Sequence, residues 1–200
     1  MYFSDCSSIS DVLENFVLSL KNSGVVCLPS DSCYGFSGMA FDSNAESKLQ
    51  QIKSQPDSKP LSICLADKED IYEFLKPSPI LDIFIEEFLP GKLTLIAESN
   101  RGDMLGVRVP DHSLMRQLVK HLGCPIFTTS ANMHKKPACY SIDELKQQLG
   151  SQFEMIDSVL DLDVLEFSSP STIVKISDKS LEIIREGDLA PLIRERFKIQ

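Results

Sequence analysis

The chain has 200 residues, 42% hydrophobic and 24% charged, a globular balance that excludes extended disorder and can bury a full core without disulfide or metal staples. Its net charge of -9, with Lys and Arg scattered through an acidic background, excludes strong non-specific nucleic-acid binding, and no apolar run approaches the ~20 residues that cross a bilayer. With Asp5 and Asp11 where a leader would be basic, the expectation is a soluble, cytoplasmic protein of one domain over residues 1–200.

Taken in chain order, Val12, Leu13, Phe16, Val17 and Leu20 predict a helix over 11–22, with Ser10 or Asp11 as its cap. Residues 25–28 read as a buried strand whose ladder ends at Pro29; Ser30, Asp31 and Ser32 stand at its mouth, where α/β proteins keep ligands, and Tyr34-Gly35 turns the backbone away. Ala45, Leu49 and Ile52 share one face of a helix over 44–53 that ends before Pro56. A strand at 61–65, a helix at 68–75 begun by Asp67, and a helix at 80–88 stopped by Pro90-Gly91 follow. Strands are predicted at 93–97 and 106–109, a helix at 114–122 closed by Gly123, and a strand at 125–129 that empties into Ser130-Ala131-Asn132. A helix at 142–149, a strand at 158–162 and a hairpin of 172–176 with 181–184 complete the pattern. Strands and helices alternate without linker or repeat, so the fold class is α/β: a single-domain, twisted mixed sheet flanked by helices.

Cysteines at 6, 27, 33, 64, 124 and 139 lack CxxC spacing and a nearby His pair, and read as reduced core thiols. Four loops share one design, a buried strand running out into small hydroxyls or a basic residue: 29–32, 128–132, 168–172 and 184–187. Hydroxyls and amides satisfy phosphate or carboxylate oxygens without burying a bare charge, and an arginine adds a bidentate clamp, so the four together describe an anion pocket.

In order and wording these loops resemble the YrdC/Sua5 family, the threonylcarbamoyl-adenylate synthases. The family's P-T-D/E-T/S-x-Y/F-G-L is matched by PSDSCYGF from Pro29 to Phe36, and its K-x-R-P-x-x-K-P-L by KSQPDSKPL from Lys53 to Leu61. PGPLT corresponds to Pro90–Thr94, VRVPDHP to Val107–Ser113, TSAN to Thr129–Asn132, PSTIV to Pro170–Val174 and LREG to Ile184–Gly187. The resemblance covers almost the whole chain and is closest to the short, single-domain type, so it implies a YrdC/RibB-like fold with an open ligand cleft.

It further implies condensation of L-threonine, bicarbonate and ATP into threonylcarbamoyl-AMP and pyrophosphate, for a separate transferase complex that modifies tRNA. Such chemistry needs positioning and charge stabilisation more than a nucleophile and base, so no catalytic pair is expected. By the resemblance Ser32, Arg108, Thr128 and Ser171 meet threonine. Lys53, Gln55, Lys59, Ser130, Asn132 and Arg185 meet ATP, with magnesium carried on its phosphates. The ordinary alternatives are a solvated helix end for Lys53, a solvated turn for Lys59 and a strand-edge salt bridge for Arg108, while His112 in its PDHS turn reads as a helix cap or surface contact.

Three departures stand out: Gln55 where the motif has arginine, Cys64 where many relatives carry histidine, and His134-Lys135 where Ser-Gly often follows. Gln55 loses the permanent charge and the fork and predicts weaker ATP handling. Two alternatives therefore stay open, a weakened paralogue that binds nucleotide or carbamoyl ligands and an RNA-binding module, the second opposed by the acidic balance.

Overall fold

The computed structural model describes residues 1–4, 8–55, 60–177 and 180–199. Its strands are β1 (Tyr2–Phe3), β2 (Val26–Pro29), β3 (Tyr34–Met39), β4 (Ser62–Cys64), β5 (Leu93–Glu98), β6 (Met104–Arg108), β7 (Ile126–Ser130), β8 (Ser158–Leu160), β9 (Thr172–Ile176) and β10 (Leu181–Arg185). The α-helices are α1 (Ile9–Lys21), α2 (Ser43–Ile52), α3 (Ile71–Phe74), α4 (Pro79–Phe88), α5 (Ser113–Leu122), α6 (Ile142–Leu149) and α7 (Ala190–Phe197). All the strands join one mixed sheet in the order β1-β8-β2-β3-β7-β4-β6-β5-β9-β10. No helix among the described residues is long and apolar enough to cross a membrane.

Alternation along the central strands explains how both faces are covered. Val26, Leu28 and Ile126 pack with Phe16, Leu20, Met115 and Leu118 of α1 and α5. Their neighbours Val25, Cys27 and Phe127 pack with Ala45, Leu49 and Leu145 of α2 and α6. A third cluster joins Leu81, Phe84 and Ile85 of α4 to Leu95, Val107 and Ile193.

Four expectations are corrected. Helix α1 starts at Ile9 with Ser8 in the N-cap position, so neither Ser10 nor Asp11 caps it; Asp11 instead lies in the first turn, where the helix dipole favours a carboxylate. The backbone does not turn away at Tyr34-Gly35: β3 starts there and pairs antiparallel with β2, from Pro29 opposite Tyr34 to Val26 opposite Ser37. Residues 30–33 are therefore a hairpin loop, closed by Ser30 N–H on the Cys33 carbonyl at 3.0 Å, between two paired strands and not the open strand mouth expected. Glycines hid β3, yet one is required: a Cβ on Gly38 would lie 2.2 Å from the Phe127 ring. The helix expected over 68–75 is split into a 3-10 turn, Lys68–Asp70, and α3, with Asp67 in a capping box. Strand β1 and helix α7 were not anticipated at all.

Candidate functional site

Arg108 closes β6, which lies between β4 and β5 and is no sheet edge. The hairpin loop brings Asp31 to it: Arg108 Nη2 donates to Asp31 Oδ1 at 2.5 Å, with the side chains only 9% and 4% exposed. A side-on arginine–carboxylate pair ordinarily makes two such bonds. Here only one is made, and Arg108 Nε and Asp31 Oδ2 are both buried without a partner. Around the pair stand Cys64, whose thiol is pushed up to about 12 by burial, and His112, whose imidazole is held below its usual range by burial. Both sense the charges of Asp31 and Arg108. The His112 ring caps α5 by accepting from the Met115 N–H at 3.4 Å, as its turn implied.

Arg185, at the end of β10, donates through Nε to the Ser171 carbonyl at 2.9 Å and through Nη2 to Ser171 Oγ at 2.8 Å. Ser171 Oγ is 3.1 Å from Thr94 Oγ1, so one arginine locks the 168–172 loop to β5. Partial burial, then repulsion from Arg108, hold the Arg185 guanidinium below its ordinary pKa. Gly187 lets this corner close: a Cβ there would lie 2.4 Å from the Pro170 carbonyl and 2.7 Å from the Thr172 amide. Gly187→Ala is expected to cost about 1–3 kcal/mol in urea denaturation, because backbone on both sides cannot yield as a flexible side chain would.

Lys53 sits at the C-terminus of α2 and is 6% exposed, so the solvated helix end is overturned. Its ammonium donates to the Ser130 carbonyl at 2.6 Å and Asn132 Oδ1 at 3.2 Å, and lies 5.4 Å from the centre of the Phe36 ring. Burial lowers its pKa to about 8. Ser130 Oγ donates to Asn132 Oδ1 at 2.6 Å, and Asn132 Nδ2 donates to the Met133 and Lys136 carbonyls, which fixes the amide orientation. Gln55 and Thr129 line a small cavity of about 30 Å³ beside Lys53. Thr128 is buried on β7, opposite Ser37 and Ser62. Ser32 is half-buried in the hairpin loop, its N–H on Ser30 Oγ at 3.3 Å. Lys59 lies outside the described residues.

The candidate residues form two groups, Asp31–Arg108 with Arg185–Ser171–Thr94, and Lys53–Ser130–Asn132. Cys33 lies between them: burial raises its pKa, while Arg108 and Lys53 pull the other way, and its own charge bears on Arg185. Arg108 shares its register with Cys64 and Ile126, at the opposite end of β7 from Ser130. The two groups thus lie on a diagonal across the sheet and flank Cys33 of the hairpin loop. Three cations converge on a loop of hydroxyls in an acidic chain, which suits an anionic ligand. Asp31 was missed as a site residue because its partner is 77 positions away; the only signal was its place in the Ser-Asp-Ser run.

The family profile Sua5/YciO/YrdC, described as "Telomere recombination", matches residues 19–187. The chain belongs to this family. Among Sua5/YciO/YrdC relatives, a Methanocaldococcus jannaschii protein is 34% identical over 183 residues, covering 88% of this chain and 86% of its own; its name gives threonylcarbamoyl-AMP synthase as provisional. The Rattus norvegicus threonylcarbamoyl-AMP synthase is 28% identical over 193 residues, covering 90% and 69%. A crystal structure of P. abyssi Sua5 complexed with L-threonine superposes with a TM-score of 0.84 at 22% identity. It covers 98% of this chain, which spans 59% of the P. abyssi chain, and it establishes the family's fold here.

Proposed function

We propose that this chain is a threonylcarbamoyl-AMP synthase. Bicarbonate loses its hydroxyl as water to give CO2, and the α-ammonium of L-threonine, shedding two protons of which one goes into that water, bonds to the carbon as a carbamate; a carbamate oxygen then displaces pyrophosphate from the α-phosphorus of ATP. The observation that carries this reading is the convergence of Lys53, Arg108 and Arg185 on a hydroxyl-lined loop, within a chain whose relatives, the Rattus norvegicus protein among them, bear that name. In-line displacement at phosphorus asks for positioned charge, and such a site supplies it.

Arg108 Nε takes the threonine carboxylate, and Ser32, Thr128 and Ser171 present hydroxyls on the same side. The third donor of Lys53, with Gln55, Lys59, Ser130, Asn132 and Arg185, serves the nucleotide. Magnesium enters as the ATP complex, held by phosphates and water. The product passes to a transferase that modifies tRNA, with direct tRNA contact weak at a net charge of -9. A cytoplasmic setting fits the unpaired, buried thiols of Cys27, Cys33, Cys64 and Cys139.

Pyrophosphate release with ATP, bicarbonate and each amino acid in turn tests the reading: release should require threonine, and release with none of them would favour the ligand-binding paralogue. Gln55→Arg is expected to lower the KM for ATP several-fold by adding a charged fork beside Lys53. An unchanged KM would mean that another group already serves that phosphate.

A further inference from the structure

The half-made ion pair has a further meaning, which rests on the amino-acid substrate proposed above. Among the described residues, three buried side-chain polar atoms lack a partner: Asp31 Oδ2, Arg108 Nε and Ser37 Oγ. The first two belong to one ion pair. Turning the carboxylate into the plane of the guanidinium would join them, removing a penalty of the kind that buried unpaired groups impose. The pair instead leaves one acceptor and one donor unmet, each on a side chain more than nine-tenths buried. An α-amino acid carries the complementary set on a single carbon, an ammonium that donates and a carboxylate that accepts.

We infer that Asp31 binds the α-nitrogen of the amino-acid substrate through Oδ2 while Arg108 Nε binds its carboxylate, so that the half-open pair recognises the zwitterion. Arg108 Nη2 keeps Asp31 in place throughout, its charge balancing a carboxylate that would otherwise stand alone in the protein. The contact also survives the chemistry: a carbamate nitrogen retains one N–H, which still donates to Oδ2. Asp31 is thus a substrate-positioning group that aims the nitrogen at the incoming CO2 and secures selection of α-amino acids over hydroxy acids. The neighbouring hydroxyls of Ser30 and Ser32, 3.3 Å apart, cannot replace it, because neither carries the charge that an ammonium selects.

The test is calorimetric binding to the full chain with L-threonine and with its α-hydroxy analogue, 2,3-dihydroxybutanoate, which keeps the carboxylate and loses the amine. Wild type should bind threonine at least tenfold more tightly than the analogue. Asp31→Asn should remove that preference by weakening threonine while leaving the analogue within about twofold, and Asp31→Glu should restore part of it. Equal binding of both ligands by wild type overturns the inference without any variant, so a misfolded Asp31→Asn leaves it testable. Equal weakening of both ligands in a folded Asp31→Asn, checked by circular dichroism, also overturns it. If wild type binds another L-amino acid and not threonine, the threonine reading fails and the comparison is made with that amino acid and its own hydroxy analogue. Binding of no α-amino acid overturns both.

Discussion

Arg108→Ala is expected to reduce kcat/KM for threonine about 100-fold or more, the equivalent of one or two charge-assisted hydrogen bonds at ~2–3 kcal/mol. The same change leaves Asp31, 4% exposed, as a buried carboxylate without its cation. Removing one partner of such a pair costs roughly 3–5 kcal/mol, so the variant should also be markedly less stable. Activity and stability separate in the double variant Arg108→Ala, Asp31→Ala, which removes the orphaned charge. Much of the stability should return while threonine-dependent turnover does not. Urea denaturation beside pyrophosphate assays on the single and double variants makes this measurement. Full activity in Arg108→Ala would remove this arginine from the site.

Alkaline pH should progressively destabilise the protein. Cys27 and Cys64 are fully buried, and burial raises both thiols, Cys64 to about 12. An unfolded thiol ionises near ~8.5. A group whose pKa is raised on folding contributes stability that is complete below the unfolded value and is lost as pH climbs above it. These two thiols therefore remove about 2.7 kcal/mol per pH unit beyond roughly pH 9. Cys33, also raised by burial, acts in the same sense. Lys53 opposes them: lowered to about 8 when folded, it favours the native state as pH rises toward its unfolded value, offsetting about 1.4 kcal/mol per unit between ~8 and ~10.4. The net is a loss of at least about 1 kcal/mol per unit above pH 9, steepened beyond pH ~10.4 where Lys53 ceases to help. Denaturation midpoints under reducing conditions at pH 8, 9 and 10 should fall in that order. In Lys53→Met the slope should be steeper, and midpoints that rise with pH would contradict the burial of these thiols.

Most of the elements were legible in the sequence because apolar spacing carries them. Residues 142–149 were read with their structural bounds, and α4, α5 and β7 to within a residue. Strand β3 was lost because Gly35, Ser37 and Gly38 resemble a turn until the close approach of Phe127 is known. Helix α7 has a weak apolar face, with only Ala190 and Ile193 buried, and packing against α4 supplies what periodicity lacks. At the site, residue types and loops were readable but their geometry was not. The buried Lys53 looked like any lysine at a helix end, since its acceptors, Ser130 and Asn132, belong to a strand end 77 to 79 positions away. Asp31 stood out only as one of three polar residues at a strand mouth for the same reason, with its cation three strands across the sheet from β3.

Threonine, the carbon of bicarbonate and AMP should end in one molecule. Incubation with ATP, magnesium, L-threonine and 13C-bicarbonate, followed by mass spectrometry of the adenylates, tests it without coupling enzymes. The expected product is threonylcarbamoyl-AMP one mass unit heavier than that from unlabelled bicarbonate. Hydrolysis of ATP with no labelled adenylate, or no consumption of ATP at all, would contradict it.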